Sequence, residues 1–393
     1  WQSLKQDMPA ISVRDLQVKD DSTCLCSDLV AATHGRGFWI LDDVTPLRQA
    51  ASAQAAKQSA TSAYLFKPAI AVRVRFATND PTPWPPEVPA GENPPPGGII
   101  DYYLTANTSG PVMLDILDSG GRVIRSYSST DSIARPHPAL DPVAYNRLCQ
   151  RNPATPDCSL PLYWPAPPMV ISTQSGMHRF SWDLHYDPIA GTGAAAAGGD
   201  DATGAVPHRT YPTVEAPWAP PGAYTVRLTV GGKSYTQPLM LRLDPRVTTP
   251  AAGLAQLASL SREMYDGAVA SHAAYVEARA LLTQLDSAHA GNLDALRSQL
   301  EELAPPAPIR AGRRGGGARG AAATAQTPTL LSVSNSMLAA AMAMQGADTS
   351  PTAAEVAAST RARDEYGAVL PRWKAVRATA RAELKAKRPA SHR

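Results

Sequence analysis

The sequence predicts a mainly β chain with an α-helical tail, and three observations carry that prediction. Short runs that alternate apolar and polar residues recur through roughly the first 250 positions, the period-2 signature of half-buried strands. The 37 prolines and 27 glycines of the 393-residue chain require many loops and short elements. Beyond about residue 250 the chain turns Ala-rich and its apolar residues fall at three- and four-residue steps, the helical period. Because the two patterns occupy different regions and the chain exceeds one ordinary core, at least two domains of different class are expected.

Residues 11–18, ISVRDLQV, alternate as a strand, and DLVAATHGRGFWIL at 28–41 reads as two short strands or one bent one. DSTCLCSD at 21–28, between them, reads as an extended hairpin loop. From Thr45 to about Ala63 the Ala and Gln content favours a short helix. FKPAIAVRVRF at 66–76 returns to β character, and NDPTPWPPEVPAGENPPPGG at 79–98 is an extended linker. GGIIDYYLTA at 97–106 and PVMLDILDSGGRVIRSY at 111–127 supply strands, the latter pair joined by an Asp-Ser-Gly-Gly turn. HRFSWDL at 178–184 places Phe180, Trp182 and Leu184 on one face. In 222–246 Tyr224, Val226, Leu228 and Val230 face one way, Gly231-Gly232 turns, and Leu239, Leu241 and Leu243 close a partner strand. About six such strands make a small antiparallel sandwich over 99–247, immunoglobulin-like in architecture, with a Pro-rich insertion at 128–175.

The tail begins where Thr249 is placed to cap a helix with Pro250 in its first turn. Leu254, Leu257, Met264, Ala268, Tyr275, Leu282 and Leu285 give it one apolar stripe. Leu293, Leu296, Leu300 and Leu303 repeat the stripe in a shorter segment, as in an antiparallel hairpin. A Gly/Arg-rich linker at 306–327 interrupts it, and a further helix from SPTAAE at 350–355 presents Tyr366, Val369, Trp373, Val376 and Ala380.

A net charge of +3 is too small to imply a polyanionic partner, and no apolar run approaches the roughly 20 residues of a membrane helix, so neither nucleic acid nor a membrane span is expected. The chain opens on Trp1 with no initiator Met and no signal-peptide pattern, which is read as the removal of a leader and more, or as a fragment. Cys149 and Cys158 bracket a Pro-rich loop and are expected to close as a disulfide, as in an exported protein, with free thiols or zinc as alternatives. Cys24 and Cys26 lie two apart, a spacing expected to disfavour a direct bridge.

WQSL at 1–4, VRDLQV at 13–18 and LVAATHGRGFWILDD at 29–43 resemble the last blade of an Asp-box (BNR-repeat) β-propeller of the sortilin-like or glycosyl-hydrolase-like kind, with Trp1 ending the Asp-box. The succession LDDVTPLRQ, NPPPGGIIDYYL, GMHRFSWDL, the strand pair at 222–246 and a helical tail carrying DTSPT is similar to the C-terminal half of large exported bacterial proteins of that family. The CxC turn at 22–27, the 128–175 insertion and the Arg-Gly linker depart from the pattern. The resemblance implies a closing blade at 1–48, a helix and Pro-rich linker at 49–98, the sandwich at 99–247 and a helical hairpin or bundle at 248–393.

HGRGFWILDD at 34–43 is the densest chemistry in the chain. A functional reading makes Asp42 or Asp43 an acid or nucleophile, with His34, Arg36 and Trp39 as substrate-binding candidates, Arg36 holding an anion and Trp39 stacking on a sugar ring. Glycoside hydrolysis needs two carboxylates roughly 5–10 Å apart, and adjacent strand residues point to opposite faces, which argues against Asp42 and Asp43 as a working pair. The structural reading has Gly35 and Gly37 permit a tight turn, Trp39 and Leu41 pack, and the aspartates cap a turn or pair with Arg36 or Arg48.

The histidines, His34, His137, His178, His185 and His208, lack metal-binding spacing, and AGGDDATG at 197–204 lacks the ladder of a calcium loop, so no metal and no cofactor are expected. RAGRRGGGARG at 310–320 reads as a solvated linker, and Trp84, Trp164 and Trp218 as packing residues rather than a carbohydrate platform. The resulting expectation is an accessory, non-catalytic portion of an exported glycosyl-hydrolase-like protein. The alternative is a non-catalytic sortilin-like scaffold that binds proteins or peptides.

Overall fold

The structure, a computed structural model, describes residues 8–52, 62–75, 97–131, 136–138, 140–153, 158, 170–189, 216–287, 293–307 and 327–386. The chain is mixed α/β, with 40% helix and 27% strand, rather than mainly β. It divides into two units, 1–248 and 249–393.

The first unit opens with β1 (Val13–Asp21), β2 (Cys26–Thr33) and β3 (Phe38–Leu41), an antiparallel sheet in that order. The stretch read as two strands or one bent one is thus two strands, broken by Gly35 and Gly37, whose positive φ of 82° and 68° glycine adopts at little cost. The extended loop expected at 21–28 is a tight turn instead, because the ladder runs on to the pair Asp21 and Cys26. Paired residues share a face, so Leu16, Ala31 and Trp39 lie on one side, with Val18, Leu29 and Leu41. Ala32 and Phe38 lie on the other, with Val30 and Ile40. Both sides leave apolar side chains in water: Leu16 is 55% and Val18 54% exposed on one, Phe38 76% and Ile40 58% on the other.

A short helix, α1 (Thr45–Arg48), follows, and residues 53–61 of the longer helix expected there lie outside the described residues. β4 (Ala63–Leu65), β5 (Ala71–Arg73), β6 (Gly98–Leu104), β7 (Val112–Leu117), β8 (Val123–Ser128), α2 (Pro142–Arg151), β9 (Gly176–Trp182), β10 (Gly222–Val230) and β11 (Lys233–Leu243) complete the unit. Five strands form a curled half-barrel sheet in the order β5-β11-β10-β7-β8, and three form a second sheet, β4-β6-β9. Gly231 and Gly232 turn the β10–β11 hairpin with φ of 55° and 77°, both positive as a primed turn requires.

The two sheets share one core. Ile100, Tyr102, Leu104 and Trp182 of the smaller sheet and Leu114, Ile116, Val226, Leu228, Leu239 and Leu241 of the larger are almost wholly buried, each stabilising by about 1.5–3 kcal/mol. Trp182 meets Tyr224 edge-on at 5.4 Å, and Tyr127 meets Phe180 at 4.7 Å. Two packed β-layers are therefore present, but they differ from a simple antiparallel sandwich over 99–247. β4, at the end of the span expected to be helix, and β5, within the 66–76 stretch read as β but left outside the sandwich, join one sheet each, and β5 runs parallel to β11.

The expected bridge between Cys149 and Cys158 is formed, with Cα atoms 5.5 Å apart. Cys149 stands on α2, a helix inside the presumed insertion whose start is capped by Asp141, its carboxylate accepting from the Ala144 amide at 2.9 Å. Cys24 and Cys26 are also bridged, against expectation; Leu25 between them takes φ 51°, and this left-handed residue brings the two Cα atoms to 5.1 Å.

The second unit contains α3 (Ala251–Ser287), α4 (Asp294–Leu303), α5 (Leu330–Ala343) and α6 (Ala353–Ala386). Thr249 does not cap α3: its hydroxyl donates to the Asp348 carbonyl, and the first helical hydrogen bond runs from Leu254 to Pro250. The hairpin of α3 and α4 is antiparallel, as Arg279 reaches the Ala304 carbonyl and Arg297 pairs with Asp286. α6 runs parallel to α3, since Glu263 pairs with Arg363 and Glu277 with Arg377.

The sequence reading assigned no element between the linker and residue 350, yet α5 fills much of that interval and raises the helical share. Its Leu330, Val333, Met337 and Ala341 are buried, Ser334 donates to the Ala268 carbonyl at 2.9 Å, and Met337 occupies the space that a side chain at Gly267 would take. The overlooked signals were the reciprocal Thr329–Ser332 capping box and the i, i+3, i+4 apolar spacing.

Candidate functional site

The residues of 34–43 do not converge. β3, four residues long, separates its two ends by about 10 Å. At one end the amide and hydroxyl of Thr33 both donate to the Gly37 carbonyl, at 3.1 and 2.8 Å, closing the glycine turn. His34 and Arg36 are exposed there, the His34 ring lies 3.4 Å from the Arg14 guanidinium, and the Trp39 indole donates to the Arg36 carbonyl at 3.2 Å. At the other end Asp43 takes φ 46°, its amide donates to the Asp28 carboxylate at 3.0 Å, and its own carboxylate accepts from the Thr45 amide at 3.1 Å. Asp43 thus caps a turn, while Arg48 pairs with Asp20 at 3.5 Å.

Arg179 of β9 organises that turn. Two of its nitrogens donate to the carbonyls of Asp42 and Asp43, each at 3.0 Å, and Nε and Nη2 donate to Asp101 of β6 at 2.9 and 3.2 Å. Burial pushes the Asp101 carboxyl above the usual carboxylate range, with Arg179 opposing the shift. Arg179→Leu is expected to destabilise the first unit by about 2 kcal/mol, less than the about 3–5 kcal/mol of a fully buried pair, because the Arg179 side chain is 33% exposed. A carboxyl with a raised folded-state pKa is penalised at neutral pH and relieved as pH falls. The deficit of the variant in denaturant unfolding should therefore shrink on acidification into the carboxylate range, and a deficit independent of pH would refute the clamp.

A second, denser cluster lies where the chain leaves β9. Trp182 donates from its indole to the His185 carbonyl at 3.0 Å, and the fully buried Leu184 between them is held at φ 60°, a costly backbone for a leucine. The carboxylate of Asp183 accepts from the His185 amide at 3.0 Å and from Arg125 of β8 at 2.6 Å. Arg125 also lies 3.7 Å from Asp187, whose carboxylate accepts from the Ser126 amide at 3.2 Å. Asp115 joins from β7, bonded to Ser126 at 2.7 Å and to Arg227 at 2.8 Å. The His185 ring stacks on Trp218 at 3.9 Å, and Arg75 lies 5.4 Å above the same indole.

The electrostatics follow from that packing. His185 Nδ1 sits 2.7 Å from the Asp183 carbonyl, so Nδ1 carries the proton and Nε2 presents a lone pair. Burial depresses the ring to about 4, and the nearby Arg125 and Arg75 charges act in the same direction, so the imidazole is neutral near pH 7. Burial raises both Asp187 and Tyr127. A neutral imidazole beside carboxylates already engaged by Arg125 can accept a hydrogen bond at Nε2.

No family model, curated protein or solved structure matches the chain. The resemblance to Asp-box propellers is therefore carried by the residues alone.

The other candidates divide simply. Trp218 packs against His185, and His178 donates from Nε2 to the Gln174 carbonyl at 2.7 Å while stacking on Tyr102. Among the described residues no three His, Cys, Asp or Glu side chains group as a metal site, and no helix is long and apolar enough to cross a membrane. Trp1, Trp84, Trp164, His208, the 197–204 segment and the 310–320 segment lie outside the described residues. Sequence reasoning missed the Arg125–Asp183–His185 cluster because its members come from β8 and from the loop that follows β9, more than fifty residues apart. The one local signal was the run of Asp183, His185 and Asp187 after a buried Trp.

Proposed function

We propose that this chain is the accessory, non-catalytic portion of an exported β-propeller protein of the Asp-box, glycosyl-hydrolase-like kind, with β1–β3 as its closing blade. One observation carries the reading: a single sheet leaves apolar side chains exposed on both faces. A sheet covering one core alternates apolar and polar sides, whereas a propeller blade packs against a neighbour on each side. Leu16 and Val18 on one face, and Phe38 and Ile40 on the other, are placed to meet such neighbours. The immunoglobulin-like character of the two-layer β region belongs to the same reading, supported by its antiparallel hairpins and buried Trp182. Two disulfides support an exported location.

Catalysis by this chain is disfavoured by the separation of its candidates: Asp43 caps a turn, and the Asp42 and Asp43 carbonyls serve Arg179. The purified chain is expected to turn over no member of a glycoside panel. Turnover lost on Asp42→Asn or Asp43→Asn would overturn that expectation. The blade itself is tested by hydrogen exchange: amides of β1 and β3 should exchange quickly in this chain and slowly in the parent propeller, and equal exchange in both would remove the blade assignment. A parent that binds peptides tightly and hydrolyses no glycoside would select the sortilin-like scaffold over the hydrolase.

A further inference from the structure

The two disulfides of the first unit differ in what they close. Cys149–Cys158 links helix α2 to a segment nine residues on. Cys24–Cys26 spans Leu25 alone, at a turn where the β1–β2 ladder already pairs Asp21 with Cys26. A disulfide stabilises mainly by removing loop-closure entropy from the unfolded chain, an effect that grows with loop length. A bridge across one residue supplies about 1 kcal/mol less of it than the bridge across nine.

The bridged turn also carries a cost. Leu25 is held in the left-handed region at φ 51°, and its side chain is 66% exposed, so no packing offsets the conformation. For a residue with a branched side chain that conformation costs about 1–2 kcal/mol. Opening the bridge removes the covalent demand for it. The turn stays anchored meanwhile, because the Cys24 carbonyl accepts from the Ile70 amide at 2.9 Å and the ladder is unaffected.

We infer that Cys24–Cys26 is a redox-active pair, a thiol–disulfide exchange site for an external dithiol, and that Cys149–Cys158 is the structural bridge. In the exchange, a thiolate of the dithiol attacks one sulfur of the pair, forms a mixed disulfide and releases the other cysteine as thiolate. The second thiol of the reductant then displaces the first cysteine. Two electrons and two protons pass to the protein, leaving Cys24 and Cys26 as thiols and the reductant as its disulfide. The inference goes beyond the propeller reading and does not depend on it.

The experiment equilibrates the intact chain in graded ratios of reduced to oxidised dithiothreitol, quenches with acid, alkylates, and counts each bridge by peptide mass. Cys24–Cys26 should open at a ratio at least about fivefold lower than Cys149–Cys158, the factor equivalent to about 1 kcal/mol. Far-UV circular dichroism should be unchanged at that ratio. Leu25→Gly, which adopts the left-handed turn without penalty, should need several-fold more reductant to open the same bridge. Opening of both bridges together, opening of Cys149–Cys158 first, loss of secondary structure as Cys24–Cys26 opens, or no shift in Leu25→Gly would each overturn the assignment.

Discussion

Gly97→Ala is expected to destabilise the first unit by about 3–5 kcal/mol, while Gly98→Ala, one residue on, changes it little. A methyl group at Gly97 would lie 2.1 Å from the Trp182 carbonyl oxygen and 2.6 Å from the Ser181 hydroxyl, and Gly97 has a φ of 116° that alanine resists. The nearer obstacle is backbone, so it cannot rotate away. The register pairs Gly98 with Trp182, and relief would require this pairing of β6 and β9 to open beside a fully buried tryptophan. At Gly98 the added methyl meets the Trp182 ring at 3.4 Å, an ordinary contact. Denaturant unfolding followed by tryptophan fluorescence in a Trp373→Phe background reports the first unit. Equal effects of the two substitutions would show that the close approach at Gly97 is not a constraint.

Acidification through the histidine range is expected to cost the first unit about 3 kcal/mol through His185 alone. The ring titrates near 6.5 when unfolded and at about 4 in the fold, where it is packed on Trp218 between Arg125 and Arg75. Between those values the unfolded chain binds a proton that the folded chain refuses. The contribution of His185 is thus fully present above pH 6.5, declines as pH falls, and is exhausted below about 4. Burial raises Asp101 and Asp187, which respond in the opposite sense lower in the range, so the comparison must be made against His185→Gln. That variant loses the ring stack at every pH, but its stability should fall less steeply than that of the parent between about pH 6.5 and 4. Parallel curves for the two proteins would mean that His185 takes up its proton in place.

What local pattern could reveal was revealed. The alternation in 222–243 and the Gly231-Gly232 turn require the β10–β11 hairpin whatever else the chain does, since each residue's face follows from a period of two. The stripe of Leu257, Met264, Ala268 and Leu285 requires α3 for the same reason with a period of 3.6. α5 escaped because its capping residues, Thr329 and Ser332, sit in a Ser/Thr-rich stretch that also reads as loop.

The site was less legible. Residues 34–43 look like a cluster because they are adjacent in sequence, but an extended strand carries adjacent residues apart, and Gly35 and Asp43 end at opposite ends of β3. Arg125, Asp183 and His185 look unrelated until β8 and the end of β9 are brought side by side. The sequence by itself determined the period, the turns and hence the elements, because those depend on neighbours within a few residues. Only the tertiary structure decided which charges share a buried site, which glycine faces a carbonyl and which apolar faces stay in water, because each depends on what a distant segment places there.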